Sequence, residues 1–146
     1  MGMVDITDKP DTPRSAEAFG KLVLRRTTLE RIQRGEVEKG DPLSAARIAG
    51  TIAAKKTWEI LPFCHQIPLS SVKLELGVDE EGVWAKSSVK AIYKTGVEME
   101  ALICVTTALL TVWDMVKQYE KDEKGEYPQT KIKDVVVLSK KKGEHA

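Results

Sequence analysis

The sequence predicts an α+β fold, one antiparallel sheet with helices packed on one face. Three observations lead there. The spacing of apolar residues is helical in the first third of the chain and changes to strict alternation in Val72–Lys94. The tetrad Asp79-Glu-Glu-Gly82 between two alternating stretches reads as a turn, so those stretches pair as a hairpin. The run Ala101 to Lys117 has no glycine or proline and is apolar nearly all round, which implies a helix buried on most sides.

Each element follows from its local pattern. Met3–Thr7 fits a short first strand. From Arg14 to Gln33 the spacing of Ala18, Leu22, Leu29 and Ile32 predicts an amphipathic helix, and Gly35 suits its end. A second helix is expected from Asp41-Pro42, an aspartate N-cap followed by a proline at the first helical position, and it must stop by Pro62. Its small residues Ala45, Ala49, Ala53 and Gly50 would let another element approach closely. Val72, Leu74 and Leu76 alternate with Lys73 and Glu75 as a half-buried strand, and Val83 to Lys94 returns beside it. After the apolar helix, Glu120 to Lys133 reads as a charged loop, Asp134–Ser139 as a last strand and Lys140 to Ala146 as a solvated tail. The order β-α-α-β-β-α-β corresponds to a ferredoxin-like sandwich.

The 146 residues suit one domain with a real core. A net charge of +1 gives no reason to expect nucleic acid or an anionic membrane as partner. The start, MGMVDITDKP, lacks the apolar centre of a signal peptide, and no run is expected to approach the roughly 18 apolar residues that span a bilayer. A cytoplasmic protein with free thiols at Cys64 and Cys104 is the expectation. No metal-ligand set is evident among two cysteines and two histidines, and no cofactor is implied.

Three places carry chemistry. In Lys94-Thr-Gly-Val-Glu-Met-Glu-Ala-Leu102, Thr95 and Glu98 have the spacing of a capping box, which leaves Glu100 unexplained at the edge of an apolar run. At the far end of that run, Asp114 and Lys117 share a face at i, i+3. They read either as a simple ion pair or as a partly buried proton-transfer couple tuned by its surroundings. The loop Leu61-Pro-Phe-Cys-His-Gln-Ile-Pro68 brackets Cys64 and His65 between prolines, ahead of a strand. A Cys–His nucleophile is disfavoured, because adjacent side chains rarely face each other. Glu100 and Asp114 stand about 21 Å apart along a regular helix. If both serve one reaction centre, they come from different subunits. The apolar helix asks for a partner on the same grounds.

Taken in order, the blocks MVDIT, KGD, ARIAGTIAAKKTWEILPFCH, KTGVEMEAL and VWDMVK resemble the cyclic pyranopterin monophosphate synthase family of molybdenum cofactor biosynthesis. The resemblance runs from about Met3 to Lys140. It implies a lyase acting on a cyclised GTP, 3',8-cyclo-7,8-dihydro-GTP, supplied by a radical iron–sulfur enzyme. The products are cyclic pyranopterin monophosphate and pyrophosphate. It also implies a homohexamer, a trimer of dimers, with active sites at the dimer interface. Residue by residue it implies Asp114 as the catalytic aspartate and Lys117 as its partner lysine. Phe63, Cys64, His65, Met99, Glu100, Glu98 and Lys39 would contact substrate, with Arg14 and Lys140 beside the triphosphate. The chain departs from the family after its last strand, where Lys140-Lys-Lys-Gly-Glu leaves Lys141 or Lys142 as alternatives to Lys140.

The types are chemically apt. Arg14, Lys39, His65 and Lys140 would match a triphosphate of about four negative charges. Opening an aminal, closing a pyrazine ring and attacking the α-phosphate each move protons, which is work for Asp114, Lys117 and Glu100. Nothing in the sequence supports a magnesium ion travelling with the triphosphate. Two other readings fit the fold alone: a non-catalytic ferredoxin-like module that binds a nucleotide and regulates something else, and an oligomerisation domain.

Overall fold

The computed structural model describes residues 1–146. The elements are β1 (Thr12–Val23), α1 (Arg26–Arg34), α2 (Pro42–Lys55), α3 (Thr57–Ile60), β2 (Leu69–Val78), β3 (Gly82–Tyr93), α4 (Glu98–Glu120) and β4 (Lys131–Lys142). One sheet runs β2-β3-β1-β4, with all neighbours antiparallel. Helix α4 lies on β1, β3 and β4, and α2 packs on α4 and β2. This is the ferredoxin-like α+β arrangement expected from the sequence.

The first long helix was misplaced. Residues Thr12–Val23, expected inside a helix from Arg14 to Gln33, form the central strand β1. Ala16, Ala18 and Leu22 are wholly buried, and their alternation with Glu17, Phe19 and Lys21 is a period of two. Alanine and glycine blur that period, since alanine favours helix. They stand here because α4 lies close above: a Cβ on Gly20 would meet Val105 Cγ1 at 2.8 Å and Leu109 Cδ1 at 3.0 Å. Only Arg26–Arg34 is helical, and it ends at Gly35 as expected, with φ of 69°. There the Gly35 N–H donates to the Ile32 carbonyl and the Glu36 N–H to that of Arg31.

The second helix starts as its caps require. Asp41 Oδ1 accepts from the N–H groups of Leu43 (3.1 Å) and Ser44 (3.4 Å), and Pro42 opens α2. The helix breaks at Lys56, and one turn, α3, follows before Pro62. Of the expected close-packing residues Gly50 and Ala53 are buried, whereas Ala45 and Ala49 are half-buried and Ala46 and Ala54 take their place. A Cβ on Gly50 would lie 2.7 Å from the Cys104 carbonyl oxygen, so the backbones of α2 and α4 nearly touch.

Helix α4 is longer than Ala101–Lys117 by three residues at each end. Its inward stripe, Ala101, Cys104, Val105, Ala108, Leu109, Val112 and Val116, is fully buried. The larger side chains there contribute about 1.5–3 kcal/mol each by leaving water. Contrary to the sequence expectation, this helix is long and apolar enough to cross a membrane, with a mean hydropathy of 1.6 over its most apolar window. Its packing against α2 and three strands of the sheet, with further contacts to α1 and α3, accounts for that composition as a core helix.

Three more expectations are corrected. Met3–Thr7 forms no strand. Glu120 is not in a loop but fully buried at the end of α4. Its carboxylate accepts from the Arg25 N–H (3.1 Å), the Thr130 hydroxyl (2.6 Å) and the Thr28 hydroxyl, and so ties α1 and the approach to β4 to α4. The last strand runs to Lys142, so Lys140 is paired with Ala16 in the sheet and is no part of a tail.

Candidate functional site

The predicted residues gather at the two ends of α4. At its start, the turn Lys94–Val97 leads out of β3, and the loop after α3 comes alongside. Val97 is the N-cap, and no side chain caps the helix, so Thr95 and Glu98 make no capping box. Glu98 turns instead toward β4, where its Oε2 lies 3.6 Å from Lys140 Nζ; its Oε1 is buried without a partner. Strand pairing puts Lys140 and Lys142, opposite Ala16 and Arg14, on one face of β4 and Lys141 on the other; of the three, Lys140 is the one that meets Glu98. The Ala16 side chain is buried beneath the helices, whereas Lys141 lies opposite Ser15.

Glu100 is 2% exposed. One carboxylate oxygen, Oε2, lies 3.8 Å from Cys64 Sγ, and Oε1 has no partner. Burial raises its pKa, opposed by its own backbone N–H and then by the Cys64 thiol, with the charge of Glu98 a smaller push in the same direction as burial. Cys64 is pushed up to about 11, by burial first and by Glu100 second. It is therefore a neutral thiol at ordinary pH, which argues against thiolate chemistry. The His65 ring faces away from it: Nε2 lies 2.7 Å from the Val4 carbonyl oxygen, so that nitrogen carries the proton. Phe63 and Met99 leave much of their apolar surface in solvent beside these groups. Arg14 is buried under the same turn and donates to the carbonyls of Tyr93 (3.4 Å) and Lys94 (3.1 Å). In this chain its donors brace the backbone that carries the acids.

At the other end, Asp114 meets two lysines. Lys39, from the loop between α1 and α2, donates to Asp114 Oδ2 (3.3 Å) and to its carbonyl (3.0 Å), and Lys117 Nζ lies 3.4 Å from Oδ1. Of the two readings the sequence leaves open, an ion pair or a partly buried couple, a single chain shows an ion pair open to solvent, with the Asp114 side chain 59% exposed. The Lys39 contact, and then that of Lys117, holds the Asp114 carboxyl below its ordinary range. Lys39, expected among the triphosphate contacts, lies within one chain against Asp114.

These two sets are separate in a single chain. Glu100 and Asp114 are 14 residues apart on one continuous helix, about 21 Å along its axis. None of the eleven candidates lines either of the two largest cavities, of about 550 and 620 Å³. The first adjoins the Cys64–His65 loop through Gln66–Pro68 and is bounded by Trp58 and Lys55. Two contributors escaped the sequence reading. Lys94 stands at the head of the most informative stretch yet was passed over for the acids behind it. Glu120 carries no local sign of its buried network, whose partners lie 10 to 95 residues away.

A ferredoxin-like scaffold with a shielded carboxyl at one end of its core helix and a lysine-paired carboxylate at the other is equipped to exchange protons with a polar, anionic small molecule. The chain belongs to the MoaC family, whose description matches residues 3–143. A relative from Sulfurisphaera tokodaii is 54% identical over 138 residues, 94% of this chain and 91% of its own length, and is named a probable cyclic pyranopterin monophosphate synthase. One from Pyrococcus furiosus with the same name is 50% identical, covering 99% of this chain and 92% of its own. A third, from Methanothermobacter thermautotrophicus, is 46% identical over 96% of this chain and 88% of its own, and its name adds the words accessory protein.

Proposed function

We propose that this chain is a cyclic pyranopterin monophosphate synthase, a lyase of molybdenum cofactor biosynthesis. It converts 3',8-cyclo-7,8-dihydro-GTP to cyclic pyranopterin monophosphate and pyrophosphate. Its substrate comes from a radical iron–sulfur GTP cyclase, and the reaction takes place in the cytoplasm. Family membership and the relatives' names support the reaction class. The observation that carries the mechanism is the divergence of two carboxyls: Glu100 is driven toward its neutral form by burial and Asp114 toward its ionised form by Lys39 and Lys117. Titratable pairs pushed apart in this way divide acid and base roles between them. Glu100 is then the proton donor, Asp114 the acceptor, and Lys117 the ammonium that gives a proton to the leaving oxygen. Glu98, Met99, Phe63, Cys64 and His65 hold the substrate. Arg14, Lys39 and Lys140 provide positive potential for the triphosphate.

In this reading a site is completed by two subunits. The start of α4 from one meets the end of α4 from the other, within a hexamer built as a trimer of dimers. The openness of Asp114 and the separation of the two sets within one chain support it. The name of the archaeal accessory protein favours a second reading, a nucleotide-binding module without turnover.

A turnover assay separates them. Purified protein is mixed with enzymatically prepared 3',8-cyclo-7,8-dihydro-GTP, and pyrophosphate release is followed together with the oxidised fluorescent pterin. The synthase yields both, and Asp114→Asn and Lys117→Ala yield neither. Binding of the compound without either product would establish the module instead.

A further inference from the structure

Basic side chains near the start of α4 are committed in different ways. Arg14 is spent on the carbonyls of Tyr93 and Lys94, and Lys140 on Glu98. His65 and Lys94 both reach the same segment, residues 3–7, and both through main-chain oxygens. His65 Nε2 is 2.7 Å from the Val4 carbonyl oxygen, and Lys94 Nζ is 3.1 Å from that of Thr7. The two acceptors are three residues apart, at most about 10 Å along an extended chain. They are drawn nearer by a local turn, in which Asp5 Oδ1 accepts from the Thr7 N–H (2.9 Å) and hydroxyl (2.5 Å).

Little else holds this segment down. Val4 is 73% exposed, Met3 is 53% exposed, and no regular secondary structure includes them. Neutral carbonyls are also poor partners for these donors, since a hydrogen bond to an ionised oxygen is roughly twice as strong. A polyphosphate offers several ionised oxygens, each a stronger acceptor than a carbonyl. Asp5 adds a reason for exchange over joint occupancy. Its carboxyl is held down mainly by the Thr7 hydroxyl and to a lesser degree by the charge of Lys94, so it lies within electrostatic reach of that lysine. A phosphate arriving there meets Asp5 as a like charge until the segment leaves.

We infer that Lys94 and His65 form one pyrophosphate-binding subsite, occupied in the free chain by the carbonyls of Val4 and Thr7, and that an arriving polyphosphate displaces residues 3–7. The inference rests on the synthase reading for its natural ligand, the polyphosphate end of the cyclised nucleotide. It adds Lys94 to the residues that hold the substrate, and gives the MVDIT block a role as a displaceable cover.

The test uses inorganic pyrophosphate and the full chain. Affinity is measured by calorimetry, and the methyl relaxation of Val4 and Ile6 is recorded in the same samples. Wild type binds pyrophosphate, and both methyl groups pass from restricted to mobile on saturation. Lys94→Met weakens binding by about tenfold or more, the loss expected for a hydrogen bond to a charged group, and Lys94→Arg restores most of it. Unchanged affinity in Lys94→Met overturns the subsite. Methyl groups that are mobile before pyrophosphate is added, or restricted after it, overturn the displacement. Conversion of the cyclised nucleotide is measured separately. Normal conversion of the cyclised nucleotide with unchanged pyrophosphate binding in Lys94→Met would sink the subsite alone. The expected pyrophosphate response without conversion would sink the synthase reading alone.

Discussion

The two ends of α4 set the same functional group in opposite surroundings. At the start, Glu100 is buried beside the Cys64 thiol with one oxygen unpartnered, and burial moves it toward the neutral acid. At the end, Asp114 stands in solvent between Lys39 and Lys117, which move it toward the anion. One helix thus presents a carboxyl suited to give a proton and a carboxyl suited to take one. The difference comes from depth and from lysines, since the backbone conformation is the same at both.

The contrast is broken most severely at the exposed end. Asp114→Asn and Lys117→Ala should each lower kcat by about 10²–10⁴-fold, the range for a lost acid–base group. Both should leave stability within about 0.5 kcal/mol, because the residues lie in solvent. Stopped assays and urea melts on the same preparations check both halves, and a variant that loses activity only by unfolding contradicts the assignment.

The next effect concerns what holds that end in place. Glu120→Ala removes the acceptor for Arg25, Thr28 and Thr130 and should cost about 1–3 kcal/mol through donors left unpaired in the interior. A shift in the urea midpoint at unchanged slope measures it, and a neutral outcome would mean water replaces the carboxylate.

At the buried end, pH is the sharper probe. Because the folded pKa of Glu100 lies above its ordinary 4.5, the folded chain keeps a proton that the unfolded chain has already lost. Stability from this group is therefore complete below pH about 4.5, falls as pH rises toward the raised value, and is level beyond it. Glu100→Gln, neutral throughout, should lack that decline. Parallel slopes for the two proteins would show that Glu100 is not shielded in solution.

The smallest effect is expected where the acid meets an exposed lysine. Lys140→Ala removes a 3.6 Å contact to Glu98 and should cost under about 1 kcal/mol. Lys141→Ala, on the opposite face of β4, should leave Glu98 untouched.

Much of this was legible from residues alone. The Asp41-Pro42 start, the Gly35 stop, the hairpin and the apolar helix are local signals, and each appears where the pattern put it. The pairing of Asp114 with Lys117 is local too, one turn of helix. What failed depended on partners distant in the chain. Strand β1 looked helical because its alanines and glycine answer to α4, some 85 residues later. Thr95 and Glu98 matched a cap by spacing, yet Glu98 is drawn to Lys140 on a strand whose reach was underestimated. The commitment of Lys39 to Asp114 and the network around Glu120 likewise exist only once the sheet and helices have assembled.

The central claim is that one site takes Glu100 from one subunit and Asp114 from another, and a complementation experiment tests it most directly. Inactive Asp114→Asn and Glu100→Ala proteins are mixed, allowed to exchange subunits, and checked for mixed oligomers by native mass spectrometry. If sites are shared across a two-fold, each mixed dimer contains one site with both defects and one with neither, and activity should return to about a quarter of wild type. Mixed oligomers that form but stay inactive would contradict the shared site and return the whole reaction centre to a single chain.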